Sequence, residues 1–166
     1  LAEALAESGN LKEARGEYDE AIRLRPDRPE YRSGPAYLRE IEGDLPGAEK
    51  LYREALGAFP ESWRLHNLLG INLFRQGRTA EAIASYEEAL RLNPRFAEGW
   101  SNLGNACARS GDRPEAIRSY RRALEIQPDF AAALGNLGGV LSEEGRGFEA
   151  EKCLLRARRL NPASPA

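Results

Sequence analysis

The chain repeats itself every 34 residues, and no other property of the sequence limits its fold so tightly. Glycine recurs at Gly9, Gly43, Gly77, Gly111 and Gly145, and alanine at Ala14, Ala48, Ala82, Ala116 and Ala150. Three further columns keep the same register: Ala21, Ala55, Ala89, Ala123 and Ala157; Pro26, Pro60, Pro94, Pro128 and Pro162; and Tyr18, Tyr52, Tyr86 and Tyr120, ending in Leu154. A fixed period of this length marks stacked supersecondary units, each too small to bury its apolar face alone. The 166 residues therefore count copies, and the expected core is a continuous strip in which each unit touches only its neighbours.

The punctuation within one copy predicts what is repeated. In the fourth copy Trp100, Leu103, Gly104 and Cys107 fall at three- and four-residue steps, the spacing of one helical face. Gly111 is placed to end that helix, because glycine takes a left-handed C-terminal conformation without steric cost. Asp112 follows as an N-cap, and Pro114 lies in the first turn of a second helix, where a missing amide proton costs little. Ala116, Tyr120 and Ala123 mark the apolar face of that second helix, which runs through Leu124 and closes before Pro128. Each unit is thus a helix, a turn, a helix and a turn, and the fold class is all-α, an α-solenoid of about five helical hairpins.

The stretch WSNLGNACARSGDRPEAIRSYRRALEIQP, residues 100–128, resembles the tetratricopeptide repeat: tryptophan, Leu-Gly, a tyrosine place held by Cys107, alanine, a phenylalanine place held by Tyr120, and a closing proline. Leu69-Gly70 and Leu137-Gly138 repeat the Leu-Gly step. The resemblance covers essentially the whole chain and divides it into a truncated repeat at 1–28, then 29–62, 63–96, 97–130 and 131–164. It implies a right-handed superhelix whose inner, concave surface is lined by the first helix of each unit. Residue 1 falls inside a helix pattern and methionine is absent, so the sequence is expected to be a segment of a longer array.

The second repeat departs from the pattern, with Ser33-Gly34-Pro35-Ala36 where the others carry Leu-Gly. An interior proline removes a hydrogen bond and clashes with the preceding turn, at a cost of about 3 kcal/mol. Two outcomes avoid or absorb that cost. The preferred one is a first helix that starts late, near Pro35, with Ser33 or Gly34 as its cap and Glu30–Arg32 left as loop or a separate short turn. The other is a kinked full-length helix.

The resemblance also implies which places meet a ligand. Its second, fifth, sixth, ninth, twelfth and thirteenth places fall on Glu30, Tyr37 and Glu40 among others in the second repeat, and on Arg64, Asn67, Leu68, Ile71, Phe74 and Arg75 in the third. In the fourth they include Asn102, Asn105 and Arg109, and in the fifth Asn136. Leu68, Ile71 and Phe74 form an apolar patch that Tyr37 extends; packing against neighbouring helices is the competing explanation for Leu68 and Ile71. Asn102, Asn105 and Asn136 can donate and accept hydrogen bonds, which suits the amides of an extended peptide. Arg64, Arg75 and Arg109 can pair with carboxylates bidentately. The expected partner is a protein or peptide segment, partly apolar and with some acidic character.

The two-carboxylate clamp by which some relatives hold chaperone tails is not reproduced, since its places hold Ser33, Tyr37, Leu68, Glu98 and Asn102 when counted from the second repeat. The phrases RFAEGWSNLGNA and DFAAALGNLGGV are weakly similar to the repeats of O-linked N-acetylglucosaminyltransferases, which hold substrate peptides on an asparagine ladder. Leu68 interrupts that ladder here. Three functions therefore stand: an interaction scaffold, a substrate-recognition arm of a larger enzyme, and a structural module that assembles through open ends, where Phe148, Leu154 and Leu155 are expected to leave apolar surface exposed.

Composition and motifs exclude other classes. The net charge of −2 lacks the basic surplus of a nucleic-acid binder. Residues 1–62 hold nine Lys/Arg against fourteen Asp/Glu, and residues 63–166 fifteen against twelve, so the two parts differ in sign. Cys107 and Cys153 lack metal or redox spacing and are expected to be buried free thiols. There is no apolar run long enough to span a bilayer and no signal-peptide pattern at the start; the cytoplasm is the default compartment. His66 is the only histidine, with no serine or cysteine elbow nearby in sequence, so neither catalysis nor a cofactor or metal site is expected.

Overall fold

The computed structural model describes residues 1–161; Pro162, the last of the proline column, and the end of the fifth repeat lie outside the described residues. The described chain is all-α. It runs α1 (Ala2–Glu7), α2 (Leu11–Leu24), α3 (Pro29–Arg32), α4 (Gly34–Ile41), α5 (Leu45–Ala58), α6 (Trp63–Arg75), α7 (Thr79–Leu92), α8 (Ala97–Ser110), α9 (Arg113–Ile126), α10 (Ala131–Glu143) and α11 (Gly147–Leu160). The starts of α6, α8 and α10 are 34 residues apart, as the period requires.

Each helix boundary has a local cause. Gly9, Gly43, Gly77, Gly111 and Gly145 all have positive φ, between 72° and 89°, and together they end the first helix of every hairpin. At Gly111 the left-handed turn lets the Asp112 amide reach back to the Cys107 carbonyl at 2.9 Å and the Gly111 amide to Ala108 at 3.1 Å. Carbonyls that a helix end would otherwise leave unpaired are satisfied there. Asp112 then caps α9 by accepting from the Glu115 amide at 3.0 Å, and Pro114 sits in the first turn, where it gives up no hydrogen bond. Asp44 does the same for α5 through the Gly47 amide.

The chain forms two compact units, Leu1–Leu92 and Asn93–Ala166. In the first, α1 pairs with α2, α4 with α5 and α6 with α7, while α2 packs on α4 and α5 on α6. In the second, α8 pairs with α9 and α10 with α11, and α9 packs on α10. The alanine columns lie at the closest approaches: Ala14, Ala48, Ala82 and Ala116 are fully buried, as are Ala89 and Ala123. Tyr52, Tyr86 and Tyr120 are among the largest fully or almost fully buried side chains, and the rings of Tyr86 and Tyr120 pack directly against Gly70 and Gly104. A Cβ at either glycine would stand 2.6 Å from a ring carbon. The Leu-Gly step is therefore a seat for the tyrosine of the same hairpin's second helix. In the last repeat Leu154 takes the tyrosine's place over Gly138.

The second repeat resolves its proline by splitting the first helix. A single turn, α3, ends at Arg32, and α4 starts at Gly34 with Pro35 in its first turn. Pro35 has no N–H for the Tyr31 carbonyl four residues back; the Ser33 amide takes that carbonyl instead. Ser33 occupies the cap position, yet its hydroxyl does not cap α4. It turns back and donates to the Glu30 carbonyl at 2.8 Å. The backbone of Ser33 stays in the right-handed region (φ −77°, ψ −20°), so the break is one of hydrogen bonding with little change in dihedral angles. The late start and the separate short turn are both present; side-chain capping by Ser33 is not. Gly34 packs directly under the Tyr18 ring, where any Cβ would collide.

Candidate functional site

In the first unit α6 is held to α4 and α5 by a connected set of polar bonds. Glu40 accepts from the Asn72 amide at 2.8 Å and from Arg75 Nη1 at 3.0 Å. Asn72 is fully buried, and its carbonyl accepts from Gln76 Nε2 at 2.7 Å. Gln76 also donates to Glu49 at 3.0 Å, and Glu49 accepts from Arg53 Nε at 2.9 Å and from Arg78. Burial raises the pKa of the Glu49 carboxyl, but its hydrogen bonds from Gln76, Arg53 and Arg78 outweigh that and hold it below the usual carboxylate range. The isolated surface ion pairs elsewhere, such as Arg23–Glu20 and Arg91–Glu88, contribute little by comparison.

Around this network the predicted lining residues separate. Leu68, Ile71 and Phe74 are half-buried along α6, spaced three apart on one helical face, and retain accessible apolar surface. Asn67 is only 8% exposed and sits at the margin of the core. Tyr37 is half-buried and packs against the cluster of Ala6, Ala14, Tyr18 and Leu38, so it belongs partly to the first hairpin's core. Burial and the nearby Glu7, Glu3 and Glu40 carboxylates raise its pKa. Arg75 is already matched by Glu40, and Arg64 lies 4.4 Å over the Trp63 ring and 3.4 Å from Glu30. An incoming carboxylate would have to compete with Glu30 and Glu40 for these two guanidinium groups.

The second unit offers amides. Asn105 Oδ1 accepts from the Tyr120 hydroxyl and from Asn136 Nδ2, both at 2.8 Å. Both lone pairs of that oxygen are engaged, so the hydrogen-bonding capacity left to Asn105 is that of its NH2, a donor. Asn136 is exposed and keeps its carbonyl and one N–H; Asn102 is half-buried and Arg109 exposed. Asn105 and Asn136 are thus brought together, a pairing across 31 residues that the sixth-place alignment of Asn102 with Asn136 does not suggest.

His66 has a structural role. Its Nε2 lies 2.8 Å from the Pro60 carbonyl, and one period later Trp100 Nε1 donates to the Pro94 carbonyl at 2.9 Å. Two different rings at the same place close the same turn. Cys107 is buried as expected, whereas Cys153 is half-buried, with burial pushing its thiol up. Among the described residues no group of His, Cys, Asp and Glu is arranged to hold a metal ion, and no helix is long and apolar enough to cross a membrane. Sequence inspection missed Asn72 and Gln76 as the joint between the hairpins; their i, i+4 spacing, from the last turn of α6 to the residue that follows it, was the available signal.

Comparisons with known proteins agree with this architecture. The tetratricopeptide repeat family matches over residues 1–62, 31–95, 67–129 and 108–166. Human tetratricopeptide repeat protein 7A is 32% identical over 99 residues, 60% of this chain, and the match spans only 12% of that protein's length. Among solved structures the chain is similar to MamA (TM-score 0.81, 20% identity, 98% of this chain and 95% of that one). It is also similar to Pseudomonas aeruginosa PilF (TM-score 0.87, 20% identity, 97% and 73%). A third similar structure is YrrB, described as a TPR protein with an unusual peptide-binding site (TM-score 0.75, 23% identity, 98% and 84%). These likenesses carry the fold. With every hairpin matched, the chain belongs to the tetratricopeptide repeat family.

Proposed function

We propose that this chain is a non-catalytic protein-interaction module that binds an extended, partly apolar peptide segment on the first helices of its repeats. The accessible apolar row of Leu68, Ile71 and Phe74 carries this proposal, because a helix face directed to water favours polar residues. Within the second unit by itself, the Asn105–Asn136 pair offers donors and one acceptor suited to peptide carbonyls and amides. YrrB, a relative in fold, is described as having a peptide-binding site. Acidic character in the ligand counts for less than the arginines suggest, since Arg64 and Arg75 have carboxylate partners of their own.

A peptide-array screen tests this directly. The unaltered chain is compared with Leu68→Ser/Phe74→Ser and with Asn102→Ala/Asn105→Ala/Asn136→Ala. Each variant should weaken the selected peptides by about tenfold or more, the equivalent of one or two lost hydrogen bonds or one apolar contact. Binding undiminished in both variants would remove the peptide from this face.

A further inference from the structure

Packing accounts for the ring of Tyr120 but not for its hydroxyl. The ring is seated against Gly104 and is 2% exposed, and the phenylalanine usual at this place of the repeat would fill the same seat. The hydroxyl reaches past the seat to the next residue of α8 and donates to Asn105 Oδ1 at 2.8 Å. Burial pushes its pKa up to about 12, so it stays protonated throughout the neutral range. From the first repeat to the fifth, the ninth places hold Glu3, Tyr37, Ile71, Asn105 and Gly139, and the tyrosine column holds Tyr18, Tyr52, Tyr86, Tyr120 and Leu154. The column's hydroxyl and a ninth-place amide therefore coincide in the fourth repeat alone.

An asparagine amide can fit in two ways, since half a turn about its last bond exchanges the oxygen and the NH2. Here the two are unequal. In the arrangement present, Asn105 Oδ1 accepts both from Tyr120 and from Asn136 Nδ2. Reversed, the Asn105 NH2 would face the Asn136 NH2, and the phenolic hydrogen would lose its acceptor in a core where an unpaired donor is costly. We propose that Tyr120 is a positioning residue, whose hydroxyl holds the Asn105 amide in one orientation and makes this point of α8 a reader of peptide carbonyls, not of peptide N–H groups. The ligand in this inference rests on the peptide reading above, but the orientation is a property of the unliganded chain. The pair is left with two N–H groups on Asn105, and with one N–H and one carbonyl on Asn136. A segment that lays a carbonyl against Asn105 gains a bond there, whereas one that lays an N–H meets another donor.

Long-range HNCO spectra of the isotope-labelled chain, taken without peptide, test the orientation. Coupling across the hydrogen bond should join Asn136 Nδ2 to Asn105 Cγ. Tyr120→Phe keeps the ring in its seat and makes both orientations available. That coupling should then fall by about half, and the reverse one, from Asn105 Nδ2 to Asn136 Cγ, should appear. Peptides selected on the array should bind Tyr120→Phe about twofold more weakly, because only molecules in the competent orientation bind. Asn105→Asp separates the two sides of the amide. Its carboxylate still accepts from Tyr120 and Asn136 but has no N–H, so the urea midpoint should stay close to the parent's while peptide affinity falls about tenfold or more. The reverse coupling in the unaltered chain, no coupling at all, or an unchanged coupling in Tyr120→Phe would overturn the proposal. Full peptide affinity in Asn105→Asp would do the same. A parent chain that binds no array peptide would refute the peptide reading instead, and the couplings would still decide whether Tyr120 sets the amide.

Discussion

Three glycines of the second unit, Gly104, Gly138 and Gly139, offer a graded measure of how tightly the hairpins are seated. All lie inside helices, so replacing any of them by alanine gains about 0.8–1 kcal/mol of helix propensity. They differ in what the new methyl group meets. At Gly139 nothing lies within 4 Å, and the full gain should appear as a rise in Tm of about 2–4 °C. At Gly104 the Cβ would stand 2.6 and 2.7 Å from two carbons of the Tyr120 ring, where contact requires about 3.5–4.0 Å. That ring is 2% exposed and tethered by its hydroxyl to Asn105 at 2.8 Å, so it has nowhere to go. Overpacking of this kind costs about 1–3 kcal/mol, which exceeds the propensity gain and leaves a net loss of up to about 2 kcal/mol. Gly138 is intermediate. Its Cβ would meet Leu154 Cγ at 2.7 Å and the Ala150 carbonyl at 3.3 Å, but Leu154 is half-exposed and can rotate into solvent, so gain and cost should nearly cancel. Urea unfolding followed by circular dichroism should therefore rank Gly139→Ala above the parent, Gly138→Ala close to it and Gly104→Ala below. A Gly104→Ala midpoint equal to that of Gly139→Ala would refute the seating of Tyr120 on Gly104.

His66→Phe should lose the ring's hydrogen bond to the Pro60 carbonyl and about 0.5–1.5 kcal/mol, while His66→Trp, which copies the Trp100 arrangement, should be close to neutral in the same unfolding assay. The depressed Glu49 carboxyl stabilises the fold at pH values above its unfolded pKa. That contribution should fade as pH falls from the ordinary carboxylate value through the lower folded one. Stability measured against pH should be flatter over that acid window in Glu49→Gln, which cannot titrate; an unchanged acid slope would mean that Glu49 is not the group responsible.

The period made the hairpins legible because glycine, alanine, tyrosine and proline answer to local geometry: a positive φ, a close approach, a ring seat and a helix stop. Splitting of the first helix near Pro35 is one of two outcomes that the chemistry of proline allows, a kinked full-length helix being the other; the structure takes the split. What escaped was chemistry between non-equivalent places, within a copy as well as between copies. The Ser33 hydroxyl is a typical cap, yet the broken turn leaves the Glu30 carbonyl in reach and the hydroxyl takes it. Arg75 reads as a ligand-facing cation until Glu40, 35 residues away, is seen beside it. Asn105 reads as a two-way hydrogen-bonding group until Tyr120 and Asn136 both occupy its oxygen. Alignment of copies compares equivalent places, whereas these bonds join non-equivalent ones.

The four-residue α3 has a consequence for how the first unit comes apart. Nucleating a helix fixes several residues for a single hydrogen bond and is repaid only by propagation. At Pro35 propagation stops, so α3 never recovers that cost from its own backbone. Its order is borrowed from α2, α4, α5 and α6, the helices it touches. A segment in that position melts with its neighbours or before them, never after. The stability of the second repeat therefore rests on α4 and α5, and Glu30, the carboxylate beside Arg64, is held in place only while α3 stays docked on its neighbours.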